Sequence, residues 1–127
     1  MTETVAVLGA TDNPNRFAYR AMLALTEHGH KVLPINPFHD EIDGTRCYQD
    51  LAACPGGVDT ITVYVRPSIL RGLVKDIVAA QPRRVILNPG TEDPDIASQL
   101  QRTGIRVQNA CTLVLLSSNQ YAISNSN

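Results

Sequence analysis

The chain has 127 residues, a formal net charge of -1, 43% hydrophobic and 18% charged residues. That length suits one domain with a single sizeable core, and that composition is neither disordered nor membrane-like. Near-neutrality removes the basic footprint that supplies nucleic-acid affinity, and no apolar run approaches the roughly 20 residues needed to span a bilayer.

The start, Met1-Thr2-Glu3-Thr4, is acidic and runs at once into a short apolar segment, so it does not read as a signal peptide. Cys47, Cys54 and Cys111 are odd in number and without CxxC spacing. This pattern argues against a disulfide scaffold and against a zinc site, and fits a reducing cytosol. The expectation is a cytoplasmic domain with no membrane or nucleic-acid partner.

Short β-rich runs alternate with segments of helical period. Val5-Ala6-Val7-Leu8 is a continuous apolar run closed by Gly9, as in a strand buried on both faces. A helix follows, with Asn13 as N-cap, Pro14 in the first helical position and Gly29 as the stop. Ala18, Ala21, Met22 and Leu25 give it one buried face. Lys31 to Ile35 is the second strand, although Pro34 inside it is a residue usually confined to edges or strand ends.

Asn36 to Gly57 is the least regular stretch, with one short helix near Gln49 to Ala53. Thr60 to Val65 is the third strand, β-branched and aromatic. Arg66-Pro67 then opens a helix with the stripe Leu70, Leu73, Val74 and Ile77. Val85-Ile86-Leu87 is the fourth strand. A helix from Asp93-Pro94 to Arg102 buries Ile96, Ala97 and Leu100 and ends at Gly104. Ile105 to Val107 is the fifth strand, and Cys111 to Leu116 reads either as a short helix or as an extended segment.

Five strands alternating with helices predict a Rossmann-like, doubly wound α/β domain: a five-stranded parallel sheet in three α/β/α layers, spanning 1-121, with 122-127 as a flexible tail. The expected strand order is 3-2-1-4-5, with the topological switch between strands 1 and 4. Ligands bind outside the carboxyl ends of the strands at such a switch.

The strand-end loops are therefore the candidate site. Gly9-Ala10-Thr11 with Asn13, Pro14 and Arg16 leads into a helix N-terminus, where close backbone approach and unpaired N–H groups suit a pyrophosphate. The same residues also read as a plain turn, and Tyr19 either lines the crevice or packs on the sheet. Only Gly9 of a GxGxxG is present, and Asn36-Pro37 stands where a nicotinamide enzyme carries an acid, which counts against NAD. Val65-Arg66-Pro67 offers an apolar wall and a cation; Asn88-Pro89-Gly90 closes the fourth strand. Four of the five strand ends are followed by a proline within a few residues, which suggests rigid loops around one groove.

Cys111 lies at the same edge, either as an inert buried residue or as a site for a thiol adduct. His28, His30 and His39 have no carboxylate or serine arrangement. GxxxxGK[ST], HExxH and GxSxG are all missing, and no coherent catalytic set emerges, which favours binding over turnover.

The order and spacing of these runs, Val5 to Arg16, Val32 to Pro37, Gly44 to Leu51, Val63 to Pro67, Asn88 to Gly90 and Ala110 to Val114, resemble the small bacterial coenzyme A (CoA)-binding domain proteins. The resemblance covers almost the whole chain. It implies the fold shared with the CoA-binding domain of succinyl-CoA synthetases and non-catalytic binding of CoA or an acyl-CoA. Gly9, Ala10, Thr11 and Asn13 would contact the phosphates or adenosine; Asn36, Pro37, Val65, Arg66 and Pro67 would wall the nucleotide; Asn88-Pro89-Gly90 would lie near the pantetheine. An NAD(H)-binding enzyme or redox sensor is the alternative, and a disulfide between Cys111 and the CoA thiol a third reading.

Overall fold

The computed structural model describes residues 2–123. Strands β1 (Thr4–Leu8), β2 (Lys31–Ile35), β5 (Thr60–Val63), β6 (Arg84–Leu87) and β7 (Arg106–Asn109) form one parallel sheet. Along β1, Val5 and Val7 face one layer and Ala6 and Leu8 the other, and all four are buried. That is why the run is uniformly apolar.

One layer is α1 (Phe17–Glu27) and α5 (Thr112–Ser117), which set Ala18, Met22, Leu25, Leu115 and Leu116 on the sheet. The other layer is α2 (Pro67–Leu70), α3 (Val74–Ala80) and α4 (Pro94–Arg102), with Leu70, Ile77, Ile96 and Leu100 fully buried. The three-layer α/β arrangement follows the sequence reading, and the last apolar segment takes its helical alternative. The stripe from Leu70 to Ile77 is broken by a 3-10 turn at Arg71–Leu73, around the poor helix former Gly72. Of the expected tail, 124–127 lie outside the described residues.

The strand order differs from the expectation. It is β2-β1-β5-β6-β7, or 2-1-3-4-5 when parallel strands are counted along the chain, not 3-2-1-4-5. Pro34 accords with β2 at the edge. The N and C=O of a strand residue point the same way, and the Pro34 carbonyl points away from β1, accepting from Tyr48 N at 2.9 Å. Its nitrogen on that side has no hydrogen, which disfavours a full strand there. Among the described residues, a one-residue parallel bridge, Ile35 to Tyr48, continues the sheet on that side. The next strand of the sheet, β5, pairs on the other side of β1. The topological switch moves with it, to the carboxyl ends of β1 and β5.

Two local differences matter for the site. The first helix starts at Phe17, not at Pro14. The Asn13 side chain accepts from Asn15 N (3.0 Å) and its carbonyl from Arg16 N (3.1 Å), closing a separate Asx turn before the helix. The irregular segment contains a hairpin, β3 (Glu41–Ile42) and β4 (Thr45–Arg46). Its turn residues Asp43 and Gly44 have φ of 50° and 79°, as a two-residue type I′ turn requires. The Tyr19 hydroxyl donates to the Asp43 carboxylate, tying that hairpin to α1.

Candidate functional site

At the switch, the chain leaves β1 through Gly9 with φ +93°, a conformation that disfavours side chains. A Cβ there would lie 3.0 Å from Val65 Cγ1 and 3.1 and 3.2 Å from the Tyr64 carbonyl carbon and oxygen. Gly9 thus lets the loop after β1 touch the backbone leaving β5. The N–H groups of Gly9 and Ala10 both donate to Ile35 O, at 3.1 Å each. Asn36 braces the same corner from β2: its Nδ2 donates to Ala10 O (2.7 Å) and its Oδ1 accepts from Phe38 N (2.8 Å). These bonds lock the loops after β1 and β2 together and occupy the Gly9 and Ala10 N–H groups.

At the same edge stand the N–H groups that start α1. Its N-cap, Arg16, is extended and makes no side-chain cap, and the first turn has no acid. The first N–H groups and the positive end of the helix dipole therefore face a cleft of about 720 Å³. Gly9, Ala10, Thr11, Asn15, Arg16, Phe17 and Ala18 form its first wall; Tyr64, Val65, Arg66 and Ile69 the second; Asn36 and Pro89 close it. Arg16 and Arg66 are both exposed and, among the described residues, neither is in an ion pair.

A second groove, about 500 Å³, opens off the same corner and shares Gly9, Asn36, Val65 and Ile69 with the first. It is apolar: Leu8, Ile35, Pro37, Phe38, Leu51 and Leu73 line it, with Gln49, Asp50 and Asp76 as its other polar residues. Phe38 and Ile69 are 88% and 46% exposed. The cleft thus has a cationic, hydrogen-bonding half and an apolar half.

Of the residues singled out in the sequence, Gly9, Ala10, Thr11, Arg16, Asn36, Val65, Arg66 and Pro89 meet at the first compartment, and Pro37 at the second. Asn13 and Pro14 sit in the exposed Asx turn, Pro67 in the first turn of α2, and Gly90 in a loop where its N donates to Glu92 Oε1 at 2.7 Å; none of these lines either compartment. Asn88 is 2% exposed. Its Nδ2 donates to Thr62 Oγ1 (2.7 Å) and Val63 O (2.9 Å), and its Oδ1 accepts from Thr112 N (2.9 Å). It is a brace between β5, β6 and α5. Cys111 is the half-buried N-cap of α5, also outside the lining.

Sequence reasoning missed Asn15, Phe17, Tyr64, Ile69 and the groove residues Phe38, Leu51 and Leu73. Phe38 and Leu51 fall in the irregular segment that folds over β2, and Tyr64 directly follows β5; Asn15, Phe17, Ile69 and Leu73 lie six to ten residues beyond a strand end, where no local signal marks them. Burial pushes the Tyr64 phenol up to about 12, so it stays neutral at physiological pH. The lining of both compartments contains no His, Cys, Ser or Lys.

The model of a family described as CoA binding domain matches residues 3–117. The chain belongs to the CoA-binding domain family. Among curated relatives, this CoA-binding domain is 27% identical over 77 residues to the protein YneT of Bacillus subtilis, covering 61% of this chain and 57% of that one. It is 34% identical over 68 residues to an ADP-forming acetate–CoA ligase of Methanocaldococcus jannaschii, which is 54% of this chain but 10% of the ligase. A crystal structure of an uncharacterised protein superposes with a TM-score of 0.89 at 35% identity, covering 94% of this chain and 98% of the other. Among the described residues no helix is long and apolar enough to cross a membrane.

Proposed function

We propose that this domain binds CoA or an acyl-CoA in the two-compartment cleft and performs no chemistry on it by itself. The observation that carries the reading is the pairing of an uncapped helix N-terminus and two free arginines with an adjoining apolar groove. An anion attached to a flat apolar group fits that pairing. The pyrophosphate lies at the start of α1 between Arg16 and Arg66. The adenosine enters the groove between Pro37 and Phe38 on one side and Val65 and Ile69 on the other. The pantetheine arm runs out past Pro89. CoA, when bound, supplies a thiol for acyl transfer; what this chain supplies is position, charge and a dry wall.

Family membership supports the ligand class, and the absence of His, Cys, Ser and Lys from the lining supports binding without turnover. The corner at Asn36 argues against NAD(H), because its amide is committed to Ala10 and Phe38 and bears no charge to hold ribose hydroxyls.

Thermal unfolding with CoA, acetyl-CoA, NADH and ATP, each at about 1 mM, tests the proposal. A Kd near about 10 μM would stabilise the fold by roughly 2.7 kcal/mol, a rise of several degrees. The CoA compounds should raise the midpoint, and Arg16→Ala and Arg66→Ala should each weaken binding about tenfold, the worth of one charge-assisted hydrogen bond. A rise with NADH alone, or unchanged CoA affinity in both variants, overturns it.

A further inference from the structure

We infer that the nucleoside end of the cleft is built for an adenosine whose ribose carries no phosphate of its own, so that 3′-dephospho-CoA binds at least as tightly as CoA. The inference rests on the CoA reading above and adds to it a preference among CoA derivatives.

The argument starts from where charge is placed. Arg16 and Arg66 line the compartment at the start of α1. The apolar groove holds neither arginine nor any other cation, and its charged residues are the carboxylates of Asp50 and Asp76. A nucleotide with its 5′-phosphates at α1 and its base in the groove must lay its ribose across the shared corner of Gly9, Asn36, Val65 and Ile69. No residue of that corner is cationic. The Asn36 amide, its polar side chain, already serves Ala10 and Phe38. Phe38, whose N donates to Asn36 Oδ1, also lines the groove and is an 88% exposed ring.

A 3′-phosphate carries about -1.5 to -2 charges near pH 7. At this corner it would lose water, gain no partner and face a groove whose charges have its own sign. A bare ribose hydroxyl incurs none of that. The geometry therefore separates two jobs: cations hold the pyrophosphate, and the apolar half accepts a neutral nucleoside.

The test is calorimetric titration of the whole chain with CoA and with 3′-dephospho-CoA, in the wild type and in Phe38→Lys. In the wild type the dephospho form should bind equally well or more tightly. Phe38→Lys puts a cation on the rim at a position exposed enough to tolerate it, and should move the affinity ratio toward CoA by about tenfold, the size of one charge-assisted contact. CoA binding more than about threefold tighter than the dephospho form in the wild type overturns the inference while leaving the CoA reading intact. It would mean that Arg66 or another cation reaches the 3′-phosphate. An unmoved ratio in Phe38→Lys overturns the placement of the ribose. Failure of both compounds to bind at about 1 mM overturns the CoA reading itself, and this inference with it.

Discussion

Gly9→Ala is the substitution on which fold and site both turn. At φ +93° an alanine incurs backbone strain of about 1–3 kcal/mol. Its methyl would also press on Val65 Cγ1 at 3.0 Å and on the Tyr64 carbonyl at 3.1 and 3.2 Å. The valine methyl can turn away, but the Tyr64 carbonyl is backbone, and the N of that same residue is held by donating to Leu8 O at 2.8 Å. Overpacking of this kind adds about 1–3 kcal/mol, for a total of about 2–6 kcal/mol. At this chain length that is roughly 8–24 °C in midpoint, from a fold whose whole stability is of order 5–15 kcal/mol. Gly44→Ala is the control. Its φ is +79° with nothing within 4 Å of a new Cβ, so it carries the dihedral cost alone. Urea unfolding of both variants separates strain from crowding. Gly9→Ala should cost at least about 1 kcal/mol more than Gly44→Ala and should weaken CoA binding by spreading the two walls. Equal losses in the two variants would refute the close approach of the β1 and β5 loops.

At the other end of the strands, the buried Arg84 guanidinium donates to Tyr121 O (2.6 Å) and Thr60 Oγ1 (3.2 Å) and pairs with Glu3 at 3.4 Å. Arg84→Met should cost about 3–5 kcal/mol in urea unfolding by leaving Glu3 unpaired, while the ligand-induced rise in midpoint stays as in the wild type. Asn88→Ala strands Val63 O and Thr112 N and should cost about 2–4 kcal/mol by the same assay. Desolvation is the main cause that lowers the His30 pKa, and its Nδ1 accepts from Glu3 N, which requires the unprotonated nitrogen. The folded state therefore binds fewer protons than the unfolded one, so stability should fall as pH drops below the unfolded value near about 6.5. His30→Gln should flatten the urea midpoint between about pH 7.5 and 5.5; an unchanged slope would clear His30. Burial and the nearby Asp50 raise the Cys54 thiol to about 11. At about pH 8 roughly one molecule in a thousand carries the thiolate, so alkylation there, followed by peptide mass, should run on the order of a hundredfold slower than for a free thiol.

Much of this was written in local patterns. Lys31 to Ile35 is a strand with the bounds its composition gives, Asp93 caps α4 through its Oδ1 at 3.0 and 3.1 Å, and the buried faces of α1 and α4 follow the helical period. What was misread depended on a choice between two local meanings. Asn13-Pro14 has the residues of a helix start and equally those of an Asx turn; the turn won because Asn13 finds Asn15 N before the helix begins. Asp43-Gly44 was a legible hairpin signal inside a stretch dismissed as irregular. Arg84 was unreadable as core, since a charged residue at a strand start ordinarily faces water, and only folding brings Glu3, Thr60 and Tyr121 around it. Pro34 is a local sign that β2 is an edge, which the order 3-2-1-4-5 does not accommodate.

The strand order also decides which of the expected site residues share a compartment. In the order 3-2-1-4-5, β1 would lie beside the strand ending in Asn88, and the Gly9 loop would face the Asn88 side chain across the switch. With β2 at the edge, β5 pairs with β1 instead, and the strand ending in Asn88 moves one place away. Gly9 then meets Tyr64 and Val65, which supply the wall, while Asn88 is left behind that wall with Thr62 and Thr112 as its neighbours. From that loop Pro89 still reaches the cleft. The side of β1 on which β5 pairs thus decides which loops face each other at the switch, and Pro34 on the outer side of β2 accords with that order.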